Sequence, residues 1–297
     1  MIQSVTVTNP AGELLTLELA SPEKSGLQVL EIDGLGPSKA NINVSEVATM
    51  DGAMFNSSRV TSRNIVMTLG MMESPTIEDS RQLTYKFFPI KKQIKLSFVT
   101  DNRQADIVGY VESNEPTIFS QNEKTQISII CPDPFFYSSG DGISAVFSGT
   151  DALFEFPFPD SIVEMSEIKE ESAGVIYYRG DADIGMVMTI HFRDAATGIT
   201  IYNLDTRETM YIDTTKVATI SGAALGLNDD IVISTVKGQK SAYLLRAGSY
   251  TNIINALSKT SNWFQLSKGA NSFMYTAETG ERNLEFKVDY KLAYEGV

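Results

Sequence analysis

Ile94-Lys95-Leu96-Ser97-Phe98 alternates apolar and polar side chains at every step, which is the period of a strand with one face buried and the other in water. The same alternation recurs upstream. Leu15, Leu17 and Leu19 interleave with Thr16 and Glu18, and Ile65, Met67 and Leu69 interleave with Asn64 and Thr68. Turn signals separate these runs at the spacing of antiparallel meanders: Asn9-Pro10-Ala11-Gly12, Asp33-Gly34, Asp51-Gly52 and Asp101-Asn102. One helix is expected, from Pro75 to Phe88, with Ser74 as cap, Glu78 and Asp79 in the first turn, Lys86 in the last and Pro89 as the stop. A further strand, Gln126 to Cys131, places Ile127, Ile129 and Cys131 on one face, and Cys131-Pro132-Asp133-Pro134 ends it because proline has no amide proton to donate.

The stretch Ser138-Ser139-Gly140-Asp141-Gly142 is the best domain boundary. Beyond it the β pattern resumes. Met186, Met188, Ile190 and Phe192 alternate with Val187, Thr189 and His191, and Leu284, Phe286, Val288 and Tyr290 with Glu285, Lys287 and Asp289. A short helix is expected over Asn252 to Leu257. Short strands with glycine-rich turns, such as Asp194-Ala195-Ala196-Thr197-Gly198, predict a sandwich or jelly-roll. No fixed repeat suggests a propeller or solenoid.

Composition removes whole classes of function. The 297 residues carry 24 basic and 37 acidic side chains, a formal charge of −13. Residues 1–140 hold 11 basic and 16 acidic groups, so both halves are acidic and polyanion binding is disfavoured. One cysteine, Cys131, and one histidine, His191, cannot supply an internal disulfide or a four-ligand structural zinc site. No apolar run is long enough for a membrane helix and no secretory leader opens the chain, so a soluble product made in a cytosol is expected.

Motifs for chemistry are equally thin. His191 is the single candidate for a hydrolase triad, but it falls on the less apolar face of a strand, and no Gly-x-Ser-x-Gly elbow occurs. Gly34-Leu35-Gly36-Pro37-Ser38-Lys39 lacks the endings of a nucleotide-phosphate loop and reads as a turn between strands. Gly180-Asp181-Ala182-Asp183-Ile184-Gly185 lacks the rest of a calcium loop and reads as an acidic hairpin. Carboxylates are plentiful, yet nothing in a sequence fixes the separation a glycosidase pair needs. Trp263 beside Phe264 is a candidate glycan contact through ring stacking, set against ordinary core packing. No catalytic, cofactor-binding or metal-ligating residue is assigned.

What remains distinctive is the order of segments. Ile32-Asp33-Gly34-Leu35-Gly36-Pro37-Ser38-Lys39-Ala40, Thr49-Met50-Asp51-Gly52-Ala53-Met54-Phe55-Asn56-Ser57-Ser58-Arg59, and Ile77-Glu78-Asp79-Ser80-Arg81 leading to Phe87-Phe88-Pro89-Ile90-Lys91-Lys92 resemble the siphophage distal tail protein family. So do Gly109-Tyr110-Val111-Glu112, Ile130-Cys131-Pro132-Asp133-Pro134-Phe135-Phe136-Tyr137, Trp263-Phe264-Gln265-Leu266-Ser267-Lys268-Gly269-Ala270-Asn271-Ser272-Phe273 and Tyr294-Glu295-Gly296-Val297. The resemblance is strongest in the first half and looser between Gly149 and Lys259.

That resemblance implies a mainly β chain. A ring-forming N-terminal belt domain (residues 1–140), a sandwich or barrel with one helix and an extended hairpin, would precede a galectin-like C-terminal β-sandwich (residues 141–297). It implies a non-enzymatic virion protein, six copies of which ring the distal end of a tail. Its partners would be the tail tube protein, the tail-tip hub protein and, as further candidates, receptor-binding proteins. DNA would pass through the channel without specific binding, and no membrane is involved. The location would be the tail tip, after assembly in the host cytoplasm. Ala48 to Arg63 is the expected hairpin, suited to reaching a neighbouring subunit, with Met50, Asp51, Phe55, Asn56 and Arg59 as candidate contacts. His191-Phe192-Arg193 is not followed by the Asn, Glu and Trp of a galectin sugar site. The alternatives are an adhesion module for cell-surface glycans and the equivalent hub of a phage-derived bacteriocin.

Overall fold

Alternation becomes antiparallel sheet through most of the chain, because each strand has an apolar face to bury and the turns are short enough to pair neighbours. The computed structural model describes residues 1–46, 48, 51–73, 76–120, 122–140, 142–147, 149–151, 167–169 and 173–297. The chain divides into two compact units, one of Met1–Gly140 with Ala293–Val297, the other of Asp141–Leu292.

The first unit contains β1 (Ile2–Thr8), β2 (Leu14–Glu18), β3 (Leu27–Asp33), β4 (Ala40–Glu46), β5 (Ala53–Val60), β6 (Arg63–Met71), α1 (Ile77–Phe87), β7 (Gln93–Thr100), β8 (Gln104–Pro116), β9 (Lys124–Cys131) and β10 (Phe136–Ser138). Seven of these strands follow the order β2-β1-β7-β8-β9-β6-β3 in one sheet. The outer strands β2 and β3 approach each other, so the sheet curls around its core. Val5, Leu17, Met67, Leu96, Phe98, Ile127, Ile129 and Cys131 point inward and are buried, each large one contributing about 1.5–3 kcal/mol of burial.

The cap of α1 is Thr76, whose hydroxyl accepts from the Asp79 amide. The helix therefore begins at Ile77, two residues later than its composition predicts; Ser74 and Pro75 lie outside the described residues.

The second unit contains β11 (Ile143–Val146), β12 (Gly149–Asp151), β13 (Glu167–Lys169), β14 (Ala173–Tyr178), β15 (Val187–Phe192), β16 (Thr197–Asn203), β17 (Glu208–Ile212), α2 (Thr214–Ser221), β18 (Asp229–Ser234), β19 (Ser241–Arg246), β20 (Ser249–Asn252), β21 (Gly269–Thr279) and β22 (Leu284–Tyr290). A six-stranded sheet, β11-β22-β15-β18-β19-β20, and a four-stranded sheet, β14-β21-β16-β17, enclose a core that includes Met188, Ile190, Ile201, Phe264, Phe273 and Phe286. This is a β-sandwich.

Three details depart from expectation. Asn252 to Leu257 forms only a 3-10 turn, Ile254–Ala256, opened by the Asn252 carboxamide accepting from the Ile254 amide. The helix of this unit is α2 instead, capped by Asp213 through the amides of Thr215 and Lys216 and ended by Gly222 in the left-handed region. The Gly180–Gly185 stretch is no hairpin: Ile184 bridges to Leu266, and Asp181 pairs with Lys268.

The second sandwich also ends earlier than residue 297. Tyr294 and Ala293, in β23 (Ala293–Tyr294), pair with Phe136 and Tyr137 of β10, which places the last five residues in the first unit. The sandwich is thus an insertion between two adjacent strands of the first unit's sheet.

Candidate functional site

The strands β4 and β5 pair only with each other. Every described residue from Ala40 to Val60 is exposed. The hairpin therefore starts earlier than Ala48, and Arg63 is not part of it but opens β6 in the core sheet. Met50 lies outside the described residues, and Asp51 and Gly52 form the bend before β5, with Gly52 at a φ of 91°.

The two faces of this ribbon differ in chemistry. Opposed residues in an antiparallel pair share a face, and the register pairs Ala40 with Val60, Ile42 with Ser58, Val44 with Phe55 and Glu46 with Ala53. The other face pairs Asn41 with Arg59, Asn43 with Ser57 and Ser45 with Met54. Phe55 and Val60 are an odd number of residues apart, so a strict ladder would send them to opposite faces. A bulge after Asn43 absorbs Asn56 as an extra residue, and its carboxamide donates to Ser45 Oγ. The result is one apolar face, with Ile42 59% exposed, Val44 50% and Phe55 64%.

The root of the hairpin is fixed tightly. The Thr61 amide and hydroxyl both donate to the Lys39 carbonyl, joining the two legs. Below them the Arg63 guanidinium, buried at 4% exposure, donates from Nε to Pro134 O at 2.7 Å, from Nη1 to the carbonyls of Gly34 and Gly36, and from Nη2 to Glu295 O at 2.6 Å. Its carbon centre lies 4.5 Å from the Phe136 ring centroid. Burial lowers the guanidinium's pKa from its ordinary value, and beside it burial pushes the Cys131 thiol up to about 11. By sequence Arg63 closes the expected hairpin. Its role depends on carbonyls from distant segments, which no local pattern reveals.

The residues considered for chemistry are placed otherwise. His191 Nδ1 sits 2.7 Å from Asp230 Oδ1, directly across the β15–β18 ladder, and Arg193 pairs with Glu285. Trp263 packs against the sandwich core, and the Lys240 ammonium lies 5.3 Å from its ring centroid. Among the described residues no cluster of His, Cys, Asp or Glu could hold a metal ion, and no helix is long and apolar enough to cross a membrane.

Residues 179–294 match the model of the siphovirus-type tail component, C-terminal domain. Among solved structures, the SPP1 Dit protein, described as a paradigm of hub adsorption apparatus in Gram-positive infecting phages, is similar with a TM-score of 0.65 and 12% identity over 97% of this chain and 98% of that one. A chain of the phage P2 baseplate in its activated conformation with Ca gives a TM-score of 0.49 and 12% identity over the full length of both. No curated protein matches the chain. At this identity the structural likeness shows the fold, and the family match covers most of the inserted sandwich together with Ala293 and Tyr294 of the first unit.

Proposed function

We propose, for a chain whose residues 179–294 match the model of the siphovirus-type tail component, C-terminal domain, that it is a non-enzymatic structural protein of a phage tail tip. Six copies form a ring that continues the tail tube, seats the tail-tip hub protein and encloses the DNA exit channel. The observation that carries this reading is the β4–β5 hairpin, a ribbon with one apolar face that none of the described residues covers. A two-stranded hairpin is marginal in water by itself, and a contiguous exposed apolar face marks an interaction surface. When such an arm docks on an identical neighbour the contact is heterologous, and repeating it around an axis closes a ring. The contacts fall to Ile42, Val44 and Phe55, with Asp51, Asn56 and Arg59 at the bend and on the polar face. The net charge of −13 suits a conduit whose wall repels phosphate.

Mass by light scattering, followed by negative-stain imaging, tests the proposal. The expected particle is a ring of six with a central hole. A monomer that persists at high concentration would overturn the reading, and measurable glycan affinity in that monomer would favour the adhesion module.

A further inference from the structure

We propose that Arg63 is the positioning residue of the hairpin, setting the direction in which the arm leaves the first unit; this deepens the hairpin-docking reading above and rests on it. A buried cation is costly unless it is well paired, and among the described residues no carboxylate pairs with Arg63. Its four hydrogen bonds all go to main-chain carbonyls, and they come from three segments far apart in sequence. An apolar side chain would fill the same space at lower cost. What arginine adds is a rigid planar fork of donors that can tie several segments in one fixed geometry.

Those segments are the ones that aim the arm. Gly34 and Gly36 lie in the turn leading from β3 to β4, and Arg63 itself begins β6 immediately beyond the other leg. Gly34 has a φ of 84° and packs so closely on β6 that a Cβ there would lie 2.1 Å from the Asn64 carbonyl oxygen. From the other side the Ala293–Val297 segment closes on the same turn: the Val297 amide donates to Leu35 O at 3.2 Å, and a Cβ at Gly296 would lie 2.8 Å from that oxygen. The turn is therefore clamped between β6 and residues 293–297, with the guanidinium bridging both. Beyond this clamp none of the described residues gives the hairpin a core, so its orientation depends on the root.

Hydrogen exchange by mass spectrometry on the full chain tests this, with Arg63→Ala and, leaving the arginine intact, Gly296→Ala. Arg63→Ala should raise exchange about ten-fold in peptides covering residues 34–39 and 293–297, with β7 and β9 unchanged, and should reduce the ring fraction. Gly296→Ala should act in the same direction and more weakly. An equal rise in β7 and β9 overturns the proposal, since it marks general destabilisation, and so does unchanged exchange at residues 34–39. Deleting residues 41–59 separates the two ideas. A ring that survives the deletion defeats hairpin docking itself; a ring lost on deletion but undiminished in Arg63→Ala defeats only the positioning role.

Discussion

The β7–β8 and β4–β5 pairs are both antiparallel ribbons with one apolar face, yet one is the centre of a core and the other stands in solvent. In β7–β8 the inward face, Ile94, Leu96, Phe98, Ala105 and Ile107, is buried beneath the curled sheet. Its outward face is tied as well, by Lys95 Nζ to Asp106 Oδ2 at 2.7 Å and by the Ser139 hydroxyl to Asp106 Oδ1. In β4–β5 the apolar face is bare, and among the described residues no ion pair crosses the polar one. Alternation therefore specifies a strand and the side it presents, but not what covers that side. Within β7–β8 the cover is the rest of the unit; for β4–β5 none of the described residues supplies it, and in the ring proposed above a neighbouring copy would.

The largest expected effect lies on the covered ribbon. Phe98 is fully buried and meets Phe136 edge to face at 5.7 Å. Phe98→Ala should cost about 3–5 kcal/mol in urea unfolding of the first unit. A loss below about 1 kcal/mol would mean that this face is far less well packed than its burial indicates, and the contrast with the hairpin would collapse.

A smaller effect is expected on the outward face of the same ribbon. Burial alone would raise the pKa of Asp106, but Lys95 and the hydroxyls of Ser139 and Ser97 outweigh it and hold the carboxyl below its ordinary value. Because the folded-state pKa is the lower one, the stabilisation is fully present above the unfolded value near 4 and disappears as pH falls through the folded value. Asp106→Asn should therefore cost about 1 kcal/mol near neutral pH, and the cost should vanish as pH falls through the lowered folded value. A cost that persists undiminished at low pH would show that the ion pair is not its source.

Much of this comparison is legible in the sequence. The inward sets of β6, β7 and β9 follow directly from alternation, because a core covers them from within the chain. Phe55 and Arg59 fall inside the expected hairpin, but its length does not follow from the pattern: Ile42 and Val44 alternate with Asn41, Asn43 and Ser45 as in any strand, so nothing local shows that β4 belongs to the arm, and the bulge at Asn56 breaks the period of β5. Asp213 and Gly222 are readable cap signals for α2, masked by the β-branched Thr214 and Thr215 between them. Nothing local could show that Arg63 is met by Glu295, since their proximity is a product of the fold.

The finest test uses two adjacent side chains of similar size. Met54 and Phe55 are both large, apolar and more than half exposed, but Met54 opposes Ser45 and Phe55 opposes Val44. Neither supports the isolated fold, so Met54→Ser and Phe55→Ser should each alter unfolding free energy by no more than about 0.5 kcal/mol. Their effects on self-association should differ. If the face shared by Ile42, Val44 and Phe55 docks on a neighbour, Phe55→Ser removes a central anchor and should weaken assembly by roughly ten- to thirty-fold, while Met54→Ser should change it less than about three-fold. Sedimentation velocity across a concentration series reads both. Equal losses would mean that the bulge does not sort the two side chains onto different functional faces. A loss confined to Met54→Ser would invert the assignment and make the polar side of the ribbon the one that meets its partner.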